Sequence, residues 1–491
     1  MFGEFSSSAS ATGKGGLLAV PFLQLRTSAW MLVLVAGSLP LTVGAEARSP
    51  APRQFAPGVA SSNWSEQASL HASDGGTSDF LGWSVALSGD TALLGAWQHT
   101  GEGNEGEGIG AAYVYTRKGG VWTERAKLIP SDERPAETVF GWSVAMEDDI
   151  AVIGRICHPF AFSCTVPGAA YVFLRDGDVW REHAKLVAPD GAPEHNFGHS
   201  VAISGGTVLV GAPHAGPGAV YVFAFDGQQS QPVKLVASDG AAGDSFGVSV
   251  ALSGDTALVG APSATVSGDA WRGAAYEFVR DGDGWNEQAK LVATDGAAGD
   301  EFGSSVALSD PMAPTGNTAL VGAPFATVEG NARQGAAYAF THDGAGLRQQ
   351  EKLIAMNGMS GAMFGTSVAA QGNVVVIGAP RHQNEPEHAN GTAYVYARSG
   401  GSWIGQTRLV PSESTFQLGA SVALSGDTAI LGAPTTTVDD MPGRGAAYVF
   451  RAELRCSSFR TPRIAPPCPW PRDGSRVQGR SHAGGKNRRG L

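Results

Sequence analysis

The segment from Lys234 to Pro262, KLVASDGAAGDSFGVSVALSGDTALVGAP, returns almost intact from Lys290, where an insertion separates KLVATDGAAGDEFGSSVALS from NTALVGAP. A chain that copies itself this closely must be assembled from equivalent units, so the period decides the architecture before any single residue does. Aligned on the Ser-Val-Ala core, seven copies begin at Ser84, Ser143, Ser200, Ser249, Ser305, Ser367 and Ser421. The spacing of roughly 56 residues suits one four-stranded propeller blade with its loops.

Each copy holds four strand-like runs. The first, Ser84 to Ser88, has small residues suited to a crowded central axis; the second and third, as at Thr256 to Ala261 and Ala169 to Phe173, are nearly continuously apolar. Continuous apolar character is what a strand covered on both faces requires. The fourth run, Trp285 to Leu291, alternates, with Trp285, Ala289 and Leu291 on one face and Asn286, Gln288 and Lys290 on the other. That pattern marks a half-exposed outer strand and makes Trp122, Trp180, Trp285 and Trp403 blade-packing residues. The pairs Gly89-Asp90, Gly254-Asp255, Gly372-Asn373 and Gly426-Asp427 turn the chain between runs one and two, and Asp176-Gly177, Asp281-Gly282 and Asp343-Gly344 between runs three and four. The aspartates of such turns, Asp281 and Asp283 included, are explained by hairpin chemistry without a metal.

The seventh copy ends at Phe450 with no fourth run, while an orphan fourth run stands at the other end of the chain, Trp64 to Leu70. The expected fold is therefore all-β: a seven-bladed propeller of four-stranded antiparallel blades over residues 63–451, closed when the N-terminal strand completes the last blade.

These residues resemble the FG-GAP repeat family, known from the propeller of integrin α subunits and from exported bacterial proteins. The first signature stands at Phe140-Gly141, Phe197-Gly198, Phe246-Gly247, Phe302-Gly303 and Phe364-Gly365, with degenerate forms at Phe80-Leu-Gly82 and Phe416-Gln-Leu-Gly419. The second, Gly-Ala-Pro, begins at Gly211, Gly260, Gly322, Gly378 and Gly432, and decays to Gly95-Ala-Trp97 and Gly154-Arg-Ile156. The resemblance implies calcium only where an Asp-rich loop joins the first two strands. Here those connections are short Gly-Asp turns plus an uncharged insertion from Pro311 to Gly316, so no cofactor is expected.

The formal charge of −11 is unevenly spread. Nine Arg and one Lys crowd residues 451–491, which leaves the body between residues 46 and 450 near roughly −20 and disfavours nucleic acid as a partner, since phosphate binding needs cations. Arg26 ahead of the apolar stretch Ala29 to Val43 and small residues around Ala45 and Ala47 read as an export signal over 1–45, with an uncleaved membrane anchor as the other reading. Residues 46–62 read as a linker, and 452–491 as a basic, disordered tail able to touch anionic surfaces. Asn63-Trp-Ser65 and Asn390-Gly-Thr392 fit the glycosylation acceptor pattern. A secreted or surface-exposed location, periplasmic or on the outer surface in a bacterium, follows, with membrane contact confined to the signal segment or tail and a monomeric body.

Strand parity sends the connections between strands two and three, and between blades, to one face, and the tight hairpins to the other. The long connections, Trp97 to Gly108, Arg155 to Pro167, Pro262 to Arg272, Pro324 to Gln334, Pro380 to Gly391 and Pro434 to Arg444, share the first face, and differences among repeats are where recognition residues gather. The candidates there are side chains that the repeat does not demand: Trp97, His99, His158, Trp271, Arg272, Phe325, Arg333, Arg381 and His382. Seven histidines, His71, His99, His158, His195, His214, His382 and His388, fall on the same face without ligand spacing. Cys157 and Cys164 read as a disulfide stapling one loop, with a zinc site including His158 as the alternative. No catalytic signature is present, which points to a binding or adhesion propeller for a protein or glycan rather than an enzyme. A propeller enzyme of polysaccharide or lipid metabolism with a cross-blade site, and a purely structural scaffold, are the alternatives.

Overall fold

The computed structural model describes residues 63–453 except 101–107, 133–136, 160–163, 225–230, 283, 310–317, 343–345 and 384–389. The expected signal segment and linker, the tail beyond residue 453, the Pro311 to Gly316 insertion, Cys456, Cys468 and His388 lie outside the described residues.

Seven antiparallel sheets follow one another, spanning residues 84–128, 138–186, 201–235, 249–291, 305–353, 368–409 and 421–453, and they are called blades 1 to 7. Blade 4 shows the pattern, with strands Ser249–Ser253, Thr256–Ala261, Ala274–Asp281 and Gly284–Leu291 paired in chain order. Blade 6 carries a fifth short strand, Phe416–Leu418, which pairs in parallel with Asn390–Ser399. Blade 7 takes its fourth strand from the start of the described chain: Asn63–Leu70 pairs antiparallel with Ala446–Glu453, Trp64 opposite Ala452 and Leu70 opposite Ala447. Among the described residues the sole helical turn is Pro193–His195.

Burial explains the strand chemistry. The second strand is buried along its whole length in blades 1, 3, 5 and 7, because its two faces meet two different neighbours. Leu258 of blade 4 packs with Phe302, Val321 and Tyr338 of blade 5, whereas Ala257 and Val259 pack with Leu209, Val220 and Val222 of blade 3. Each fully buried valine or leucine among them contributes about 1.5–3 kcal/mol relative to exposure. The fourth strand is buried on alternate residues and carries a bulge, as between Glu287 and Ala289, which bends it away at the rim. Trp122 and Trp403 are buried in blade-to-blade clusters, with Trp64, Trp180 and Trp285 packed against others.

The repeated glycines set the seams near the axis. Gly95 of the second strand lies so close to blade 2 that a Cβ on it would stand 2.2 Å from the Gly141 carbonyl oxygen and 2.3 Å from Ser84 Oγ. Only glycine fits. That same carbonyl accepts a hydrogen bond from Ser84 Oγ at 3.2 Å, while Gly141 adopts a φ of 83°. The arrangement recurs at every seam, and at the last one Ser421 Oγ donates to the Gly82 carbonyl at 2.8 Å. The phenylalanine before the seam glycine packs edge-on against its own blade's third-strand tyrosine, as Phe302 does on Tyr338 at 5.5 Å. In the two degenerate copies Leu81 and Leu418, both fully buried, fill that position instead. Phe80 moves out to stack on Trp97, and Phe416 is 48% exposed.

The ring is closed by several bonds at once. The Gly89 N–H donates to Ser425 Oγ, Arg117 donates to Thr428 Oγ1, the Ser412 N–H donates to Glu66, and Arg444 donates to the Ala72 carbonyl. Each joins one end of the described chain to the other.

Candidate functional site

Each blade's first strand lies innermost and starts at the long-loop face, so the residue preceding its serine stands at the axial mouth of that face. Around the ring these residues are Trp83, Trp142, His199, Val248, Ser304, Thr366 and Ala420. Repetition should make the positions alike; instead three adjacent blades supply aromatic rings and four supply small side chains. Trp83 and Trp142 lie 4.9 Å apart between centroids, His199 lies 5.7 Å from Trp142, and Trp97 packs edge-on to both tryptophans from behind at 5.7 Å. Phe80 stacks on Trp97 at 5.5 Å with planes 9° apart, and His158 meets its edge.

The polar groups of the mouth are specific. His199 Nδ1 is enclosed and has no hydrogen-bond partner. Burial lowers its pKa to about 3, with nearby His214 pushing the same way, so the imidazole is neutral near pH 7. Ser304 Oγ donates to the Glu301 carbonyl at 2.7 Å and Thr366 Oγ1 to the Met363 carbonyl at 2.7 Å, which leaves both oxygens free to accept. Burial raises the Glu301 carboxyl to about 7, opposed by the Arg333 charge.

The sequence candidates separate into three groups. Trp97 is 0% exposed and supports the mouth from beneath rather than presenting a face to solvent. His99 and His382, 3% and 1% exposed, are not surface residues either. They occupy the position filled by Ala215, Ala264 and Ala326 in blades 3 to 5, and reach into a buried knot beside the third-strand tyrosine. His99 Nδ1 lies 2.6 Å from Asp79, and Lys127 Nζ lies 2.6 Å from His99 Nε2; His382 contacts Asn357, Tyr394 and Arg408. Arg272 is a clamp, donating to Asp269 and to the Ala293 carbonyl, and Arg444 repeats the device on Asp439 and the Ala72 carbonyl.

Surface character remains with half-buried His158, with Trp271 at 36% exposure, with exposed Arg381, and with Arg333, whose guanidinium sits 5.6 Å from the Phe325 ring centre. The loops that bear Trp271, Phe325 and Arg333 are less individual than their sequences imply. Those of blades 4, 5 and 7 share one small hairpin, pairing Val266 with Asp269, Val328 with Asn331 and Val438 with Met441. Cys157 and Cys164 are bonded to each other, and Cys164 Sγ lies 3.2 Å from the Glu137 carbonyl.

Beneath the loops a second repeated device holds each incoming connection to its blade. Asp74 accepts from Tyr113 Oη and from Lys127 Nζ, both at 2.7 Å, and Asp190 does the same with Tyr221 and Lys234 at 2.5 Å. The Lys234 ammonium and Tyr221 hydroxyl hold Asp190 down at about 2. Ser73 adds a bidentate contact, its N–H and hydroxyl both donating to Glu124. These acids hold the incoming connections in place.

Trp83, Trp142 and His199 escaped the sequence reading because they sit inside the repeated motif rather than in a loop. The available signal was their variability at a position flanked on both sides by nearly invariant residues. Comparison with curated proteins yields no match. The family described as FG-GAP repeat matches seven times, over residues 64–115, 122–173, 180–223, 230–278, 285–340, 347–396 and 403–450. Six of these stretches begin on a fourth strand and all end within a third, so each sequence repeat straddles two blades and the first must close the last. With these seven repeats accounting for most of its length and forming the seven blades, the chain belongs to the FG-GAP repeat family.

Proposed function

We propose that this propeller is an exported binding or adhesion module, acting without catalysis and without a cofactor, that recognises a protein or glycan through its long-loop face. One observation carries the reading: the side chains that break the repeat, among them Trp83, Trp142, Trp271, Arg333 and Arg381, collect on that face, while tight glycine turns such as Gly89-Asp90 and Gly254-Asp255 occupy the other. In a fold of equivalent units, departures confined to one face are where specificity can be carried. The acidic body disfavours nucleic acid, and the sequence before Ala47 supports export.

The test replaces the loops at 262–272, 324–334 and 434–444 with the short connection of blade 3 at 213–218. Glycan-array and pull-down screening of the secreted chain and the grafted chain are then compared. Loss of the captured ligand in a grafted protein that still unfolds cooperatively supports the reading. Undiminished capture refutes it.

A further inference from the structure

We propose that the axial mouth of the long-loop face binds a neutral pyranose ring, stacked against Trp83 and Trp142 and hydrogen-bonded by His199, Ser304 and Thr366. This rests on the reading of the long-loop face as the binding face and names its ligand chemistry.

The mouth is two-sided in a way that one ligand class matches. A pyranose has an apolar face of C–H groups and a rim of hydroxyls, and aromatic rings take the first while acceptors take the second. Trp83 and Trp142 supply indole surface in adjacent blades, held from behind by Trp97 and Phe80. Rigid backing matters because a platform fixed before binding loses little freedom on binding. The other four ring positions, Val248, Ser304, Thr366 and Ala420, carry small side chains.

The unpaired atoms point the same way. Ser304 and Thr366 have already given their protons to the Glu301 and Met363 carbonyls, and His199 is only half-buried as a residue although its Nδ1 is enclosed. The Ser304 and Thr366 oxygens are left to accept, and a neutral imidazole carries one accepting and one donating nitrogen, so hydroxyl groups, which both donate and accept, match the set. A purely apolar occupant would leave them unsatisfied. Among the seven ring positions His199 is the one ionisable side chain, and burial keeps it neutral near pH 7.

The experiment uses the full secreted chain. Methyl glycosides of glucose, galactose, mannose, fucose and N-acetylglucosamine are titrated by tryptophan fluorescence and by saturation-transfer NMR. At least one is expected to bind with a dissociation constant in the millimolar range and to change indole emission. Trp142→Ala should weaken it at least tenfold. Because Trp142 also packs against Trp97, a second variant, Ser304→Trp, fills the mouth from another blade and should abolish binding in a protein that still unfolds cooperatively. If no glycoside binds, or if binding is indifferent to Ser304→Trp, the site is a hydrophobic plug of the axis and the proposal falls. Should the loop-grafted chain lose its ligand while Ser304→Trp retains it, the axial assignment alone fails and the broader reading survives.

Discussion

A methyl group added at Gly432 probes the seam between the first and last blades, where the ring closes. At Gly432 an added Cβ would stand 1.9 Å from the Gly82 carbonyl oxygen and 2.3 Å from Ser421 Oγ, and at the internal seam of Gly260 it would stand 1.9 Å from Gly303 oxygen and 2.3 Å from Ser249 Oγ. Since these contacts are with backbone, relief requires the blades to move apart. Overpacking of this kind costs about 1–3 kcal/mol. Losing the seam hydrogen bond, Ser421 Oγ to Gly82 or Ser249 Oγ to Gly303, adds about 1 kcal/mol. The sum, about 2–4 kcal/mol, is expected equally for Gly432→Ala and Gly260→Ala. For a cooperative body of roughly 390 residues with an unfolding entropy of about 2.1 cal/mol/K per residue, that lowers Tm by about 2–5 °C. Gly254→Ala, in open space at a φ of 55°, is the control and should cost only about 1–2 kcal/mol of backbone strain. Differential scanning calorimetry reads all three. In an open solenoid Gly432 would face no neighbouring blade, so a Gly432→Ala protein as stable as wild type beside a destabilised Gly260→Ala protein would refute the circular arrangement.

Three other outcomes follow from the same contacts. Glu301 is raised to about 7 in the folded protein from an ordinary value of 4.5, so its favourable contribution is complete below pH 4.5 and is lost as pH rises through 7; Glu301→Gln should therefore gain in Tm relative to wild type between pH 5 and pH 8, and a constant difference would contradict the burial argument. Replacing both Cys157 and Cys164 by alanine should cost about 2 kcal/mol, the loop-closure entropy of so short a ring, seen as a Tm lower by about 2–3 °C in calorimetry without reductant. Because the turns between first and second strands are Gly-Asp pairs rather than Asp-rich loops, EDTA should leave Tm within 1 °C (about 1 kcal/mol of linkage), and a larger drop reversed by calcium would reveal a bound ion.

The architecture was legible because it rests on periodic chemistry. Apolar runs such as Thr256–Ala261, glycines at the seams, and the orphan run at Trp64 each have one local meaning that repeats seven times, and the observed pairing of Asn63–Leu70 with Ala446–Glu453 follows from it. The candidate residues were less legible. His99 and His382 look like loop residues because they depart from the repeat, yet each replaces an alanine and finds acid, amide or tyrosine partners below the surface. Trp97 replaces the proline of its motif and is buried for a similar reason: Phe80, released by Leu81, comes to lie over it.

What the sequence determined by itself was the unit, the number of units and the strand that closes them, since these depend on spacing and on which side chains tolerate burial on two faces. The tertiary structure alone decided which departures from the repeat reach solvent. Trp83, Trp142 and His199 meet only after three successive sheets have turned around a common axis, and no local pattern records a neighbour that another blade brings.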